Sequence, residues 1–275
     1  MFDITIIVYG LFAGFVAIIV TVGIEKFGGF IGGLLGTVPS TIVPAAAGIY
    51  ALDGGETLRS SMSIVPLGML INGLFLGVWI IFPNYVTRES LKLPLTIAVS
   101  LLTWFILAWL GLKTAKYVTG QFIGEITFGL IGLIALGCLS VAFNFNVKDA
   151  PKGSKKVPIK ILSLRGIAAG LAIMICLILA ESGLPFIAGI ASAFPAIFLT
   201  SMVALWLSQG PQVPLGAAAP MMLGGASVSV YALISMWALP SFGIVVGSVA
   251  AWLLSIILWT IPAFGLLKRY RLTID

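Results

Sequence analysis

Long apolar runs separated by short polar clusters dominate the chain. A helix needs roughly 20 apolar residues to cross about 30 Å of hydrocarbon. Divided at charges and turn residues, the pattern predicts nine spans: 4–24, 28–52, 60–83, 93–112, 122–144, 163–181, 184–208, 213–238 and 241–266. The fold class expected is all-α, a polytopic membrane protein of about nine transmembrane helices. Met1 to Thr5 carry no basic residue, so the first span reads as a retained helix rather than a cleaved signal.

Composition narrows the class further. Hydrophobic residues make up 60% of the chain and charged residues 9%, against about a quarter charged in soluble domains. A water-soluble enzyme and a disordered tail are excluded. The net charge of +6 sits mostly in loops, so it reports topology rather than nucleic acid. With nine spans and the N-terminus outside, twelve basic residues fall on the cytoplasmic side and three outside. That places an integral protein in the plasma (inner) membrane with a cytoplasmic C-terminus. The richest cytoplasmic segment is the linker from Asn146 to Pro158 and its flanks.

The chain also matches itself. Shifted by 156 positions, residues 10–39 align on 166–195 with nine identities, among them Gly10/Gly166, Gly14/Gly170, Glu25/Glu181 and Pro39/Pro195. Chance predicts about two or three in so biased a composition. Gly54, Leu67 and Gly68 continue the register onto Gly210, Leu223 and Gly224. Five spans precede the second copy, and an odd number reverses its direction through the bilayer. The plan expected is an inverted repeat of 4+1+4 helices. It divides into a first four-helix repeat (1–115), a connecting helix with the basic linker (116–158) and a second, inverted repeat (159–275).

Within the second copy, Leu184 to Tyr231 holds a Gly-rich helix with Phe194-Pro195, followed by a Gly-containing helix around Gly224. Each half in this respect resembles the GlpM-like four-helix bacterial membrane proteins, with Val38 standing before Pro39 in the first copy. The resemblance implies the architecture of each repeat and brings no activity with it.

Candidate chemistry is sparse. No histidine is present, which removes imidazole metal sites, Ser-His triads and imidazole proton relays. Cys138 and Cys176 sit in apolar runs and read as buried small hydrophobes. Met62, Met69, Met221 and Met222 read as packing, and Trp79, Trp109, Trp206, Trp237 and Trp259 as interfacial anchors. Pro39 and Pro195 fall near the middle of the second and seventh spans. Each should interrupt its helix and free carbonyls near Leu35 and Ala191, groups tolerated in lipid only when neighbours satisfy them or a cavity is lined. Hydroxyls stand close by: Thr37, Ser40 and Thr41 in one copy, Ser192, Thr200 and Ser201 in the other. Asn72 and Ser227 complete the expected binding set. Asn72 is weighed as interhelical glue against ligand. Glu25 and Glu181, at span ends, are the candidates for proton or cation coupling. No charge is expected deep in a span, so a neutral or weakly charged solute, or a monovalent ion, fits the lining better than a bare divalent cation.

The function expected is a secondary transporter or facilitator of a small solute or ion, without cofactor, metal or catalytic set. An ion channel of fused inverted-repeat type and a non-transporting accessory or lipid-handling protein are the alternatives. Its partners are the lipid bilayer and the solute, and a homodimer is compatible with such a chain.

Overall fold

Apolar segments of this length leave the backbone one economical solution in lipid, because a helix satisfies its own donors and acceptors. A computed structural model describes residues 3–27, 38–146 and 159–272. In chain order the helices are α1 (Ile4–Phe27), α2 (Ile42–Ile81), α3 (Glu89–Gln121), α4 (Glu125–Asn146), α5 (Ile159–Glu181), α6 (Pro185–Ser192), α7 (Ala196–Gln209), α8 (Gln212–Ser255) and α9 (Ile261–Leu272). A 3₁₀ turn, Phe82–Tyr85, follows α2, and a π-helical stretch, Ile256–Thr260, joins α8 to α9. Of the expected second span, residues 38–52 are described, with helix beginning at Ile42. Thr37, the glycines from Gly28 to Gly36 and residues 147–158 of the basic linker lie outside the described residues.

Among the described residues, six helical segments are long and apolar enough to cross a membrane, and Ile4–Val20 is a shorter apolar helix. Two of the six run to 44 and 58 residues. As straight rods these would measure about 66 and 87 Å, far beyond one bilayer crossing. Glycines bend them. Gly54 in α2 has φ 79° and ψ −167°, and Gly243 in α8 has φ 78° and ψ 173°, a region that L side chains rarely enter. After Gly243 the chain doubles back on itself: a Cβ on Gly247 would collide with the carbonyl oxygen of Ala238.

The surface is apolar where a soluble protein would be polar. Leu102, Phe105, Leu164, Leu207, Val245 and Leu258 are among many large side chains more than half exposed, as expected of a lipid-facing belt. Inside, α2 and α8 form the centre, with α4 packed across both. Glycines set the approach: Gly129 faces the Ser63 carbonyl and Leu233, and Gly132 faces Pro66 and Leu67. Polar groups tie the same seam. Asn144 Nδ2 donates to the Ala219 carbonyl at 2.9 Å, and Trp259 Nε1 donates to the Leu223 carbonyl at 2.7 Å.

Two expectations about side chains are corrected. Trp79 is fully buried, edge-on to Trp206, and Trp259 is a hydrogen-bonding strut, so neither is an interfacial anchor. Trp109 and Trp237 are exposed as such anchors would be. Cys138 faces outward while Cys176 is buried, and both are free thiols. An apolar run cannot say which of its residues face lipid and which face protein.

At the crossing of α1 and α5 the contact is backbone on backbone. A Cβ on Gly14 would lie 2.8 Å from the Gly166 carbonyl oxygen, and one on Gly170 would lie 2.9 Å from that of Gly10. No helix interface in water needs such closeness, but in lipid dispersion contact between smooth surfaces holds helices together. Gly170→Val should therefore lower the melting temperature in detergent clearly. Gly265→Ala, whose new methyl meets nothing within 4 Å, should leave it unchanged or raise it, since alanine is the better helix former.

Candidate functional site

Proline decides where the seventh expected span gives way. Pro195 cannot donate to the ladder, and the helix stops at Ser192 and restarts at Ala196. Local bonds close part of the gap: Ala193 N donates to the Ile190 carbonyl at 3.1 Å and Phe194 N to that of Ala191 at 3.0 Å. Ala191, one of the two carbonyls expected to be freed, is thus satisfied within its own loop. The carbonyl that needs outside help is Ala193, two residues on.

Asn72, on α2, supplies that help. Its Nδ2 donates to the Ala193 carbonyl at 2.8 Å, and its Oδ1 accepts from Trp104 Nε1 at the same distance. The amide is 2% exposed. Both ends of the amide are used, so Asn72 is interhelical glue that caps the break. Trp104 in turn lies edge-on to Phe194, ring centroids 5.2 Å apart. A Cβ on Gly68, one turn from Asn72, would stand 2.7 Å from that of Ala193, so the break and α2 touch with nothing between them.

Beside the break opens a cavity of about 460 Å³. Thr41, Arg165, Ser192, Pro195, Ser201 and Ser227 are among its lining residues, with Ser40 and Asn72 at its wall. Of the expected binding residues it gathers Ser40, Thr41, Asn72, Ser192, Pro195 and Ser227. Pro39 is buried immediately before Ser40. Thr200 is on α7 but outside the lining; its hydroxyl donates back to the Ala196 carbonyl at 2.7 Å. Ser192 likewise donates to the Gly189 carbonyl at 2.7 Å, keeping its oxygen lone pairs for the cavity.

Glu181 does not join them: it is exposed at the end of α5 and absent from the lining. The side chain of Glu25 lies outside what the structure describes. A second cavity, about 540 Å³, lies at the opposite end of α6 and is lined by Lys116, Glu125, Gly183 and Phe186. Glu125 there accepts from Ser60 at 2.5 Å and pairs with Arg59 at 3.4 Å. It is engaged in structure rather than poised as a free acid.

Arg165 is the residue that hydropathy misplaces. By pattern it belongs with the loop cations of the basic linker. In the structure it is 7% exposed, within α5, and its Nη2 donates to Ser201 Oγ at 2.8 Å. Ser201 passes a bond on to the Ile197 carbonyl at 2.6 Å. Only its place three residues inside an apolar segment hinted at burial. None of the described lining residues is Asp or Glu. Among the described residues no group of three or more His, Cys, Asp or Glu could hold a metal ion.

No protein-family model, curated protein or solved structure matches the chain.

Removing the cap tests the break directly. Asn72→Ala leaves the Ala193 carbonyl and the Trp104 N–H without their partners, and should cost about 1–2 kcal/mol of stability in detergent unfolding. Trp104→Phe, which removes one of the two bonds, should cost less.

Proposed function

We propose that the protein is a secondary transporter or facilitator that moves a small solute across the membrane through the cavity beside the broken α6–α7 helix. The single observation that carries this reading is that cavity. It is large enough for a small organic molecule, lies at a helix interruption inside an apolar bundle, and collects hydroxyls at a depth where lipid offers none. Interrupted helices at a repeat interface are where transporter sites tend to form.

The 4+1+4 inverted plan belongs to the same proposal, with each of the two long helices read as two crossings joined at Gly54 or Gly243. Three features support it. The α1–α5 crossing is reciprocal: Gly10 meets Gly170 and Gly14 meets Gly166, the pattern of self-complementary surfaces about a twofold axis. Gly54 and its counterpart Gly210 share φ near 80° and nearly extended ψ. Helices begin soon after both paired prolines, at Ile42 and Ala196.

The two cavities at opposite ends of α6 give the reading its mechanism. The cavity beside the break opens next to the first turns of α5, toward the basic linker, which the positive-inside rule puts in the cytoplasm. Between the cavities α6 is pressed onto α2: a Cβ on Gly189 would overlap the Ser61 carbonyl oxygen. In this conformation α6 closes the outer path, and its withdrawal from α2 would open it. This is alternating access with a short broken helix as the outer gate.

Two experiments test the proposal. Purified protein in liposomes should show saturable uptake, and Pro39→Ala combined with Pro195→Ala should abolish it while the circular dichroism and elution volume stay unchanged. Large single-channel currents would instead assign a channel, and no flux across a broad solute panel would remove the transport reading. For the inversion, Glu56 and Gln212 are equivalent positions in the repeat. In a Cys138→Ala background, Glu56→Cys should react with an impermeant thiol reagent from outside, and Gln212→Cys only from the cytoplasmic side.

A further inference from the structure

α2 runs beside α6 from one cavity to the other. At one end Ser60 donates to Glu125, which lines the second cavity. At the other end Asn72 stands in the wall of the cavity beside the break. Ser61, Ile64, Gly68 and Asn72 are spaced i, i+3, i+7 and i+11, one face of a helix. That face meets α6 and the break. Gly189 lies against the Ser61 carbonyl oxygen and the Ile64 side chain, and Gly68 lies against Ala193 and Ile190.

One polar atom on this face is idle while α6 is seated. The Ser61 side chain is fully buried, and among the described residues its hydroxyl has no hydrogen-bond partner. Ser63, Ser235 and Ser255 are equally buried, and each donates to the carbonyl three residues back, the usual resort of a helical serine. Ser61 departs from that habit, and a buried hydroxyl left alone is costly enough to need a reason. Its surroundings toward α6 are apolar or bare: Ile64, Gly68, Gly189 and Ile190. A charged solute passing there would exchange its water for hydrocarbon and a single hydroxyl. A wholly apolar solute would make no use of that hydroxyl, nor of Ser40, Thr41 and Ser192 in the cavity beside the break.

We propose that the solute is an uncharged molecule bearing hydroxyl or amide groups, and that Ser61 holds it between the two cavities once α6 has moved off α2. This rests on reading α6 as the outer gate, and it names both the class of solute and a contact on its path. The idle hydroxyl also biases the gate, because opening gives it a partner.

Uptake into liposomes is measured for labelled xylitol and nicotinamide against xylonate and nicotinate, their charged counterparts, with empty liposomes subtracted. Saturable uptake of at least one uncharged solute is expected, about tenfold or more faster than that of its charged counterpart. Ser61→Ala should cut it about fivefold to tenfold, the scale of one lost hydrogen bond, while the melting temperature in detergent stays level or rises. A serine with a purely structural role would instead lower the melting temperature when replaced.

Thiol labelling reads the path apart from flux. In a Cys138→Ala background, Ser61→Cys should react slowly with an impermeant reagent from outside. Adding Gly189→Ala, whose methyl cannot fit against the Ser61 carbonyl, should speed that reaction about tenfold. Met62, the next residue and equally buried, lies off this face, and Met62→Cys should stay unreactive in both backgrounds. Uptake that does not favour the uncharged solutes, uptake unchanged or a lowered melting temperature in Ser61→Ala, or absent or equal labelling at the two positions would each overturn the inference and leave the transport reading standing. No saturable uptake of any solute, with labelling at position 61 still governed by Gly189→Ala, would remove the transport reading and keep Ser61 on the seam that α6 opens.

Discussion

Every backbone polar group in a lipid-embedded chain must find a partner within the protein, and the structure turns on how one broken helix meets that demand. Between Ser192 and Ala196 the ladder is interrupted. The loop satisfies Ile190 and Ala191 by its own amides, and Asn72 reaches across from α2 to satisfy Ala193. That single amide holds three things together. It closes the break, it positions Trp104 against Phe194, and it fixes the wall of the cavity. A helix interruption without such a cap would sit in hydrocarbon with an unsatisfied carbonyl, at a cost of several kcal/mol.

The rest of the architecture follows from close approach. Small residues at the seams let α4 lie flat across α2 and α8, and let α6 rest on α2 with almost no separation. Where small residues meet, polar atoms come within reach of one another, and the bonds from Asn144 to Ala219 and from Trp259 to Leu223 occupy those places. The cavity exists where this packing stops, at the side of the break that faces the first turns of α5. Its lining comes from α1, α2, α5, α7 and α8 together with the break itself, so both halves of the chain contribute to it.

Much of this was legible before any coordinates. Apolar runs identified the helices, Pro195 located the break to within a residue or two, and the 156-residue register paired Gly54 with Gly210, which then proved to share a backbone conformation. Ser40, Thr41 and Ser192 were expected beside the paired prolines and Ser227 on a neighbouring span, and all four line one cavity. What could not be read was direction. Hydropathy averages over a helix and cannot tell a lipid-facing position from a buried one, so Trp79 and Cys138 were assigned to the wrong surroundings. Arg165 was hidden for a related reason: near a basic linker, a cation is counted as topology, and only tertiary packing reveals that it turns inward. The pairing of Asn72 with a carbonyl 121 residues away has no local signature at all.

The meeting of Gly10 and Gly14 with Gly170 and Gly166 carries a mechanical consequence. Interlocked side chains resist sliding because each must climb out of its pocket before it can settle in the next. Here the main chains themselves touch, with Met174 lying on Gly10 and Ile18 on Gly166. A change of tilt between α1 and α5 therefore has two side chains to displace at these glycines rather than a full row of interlocked ones.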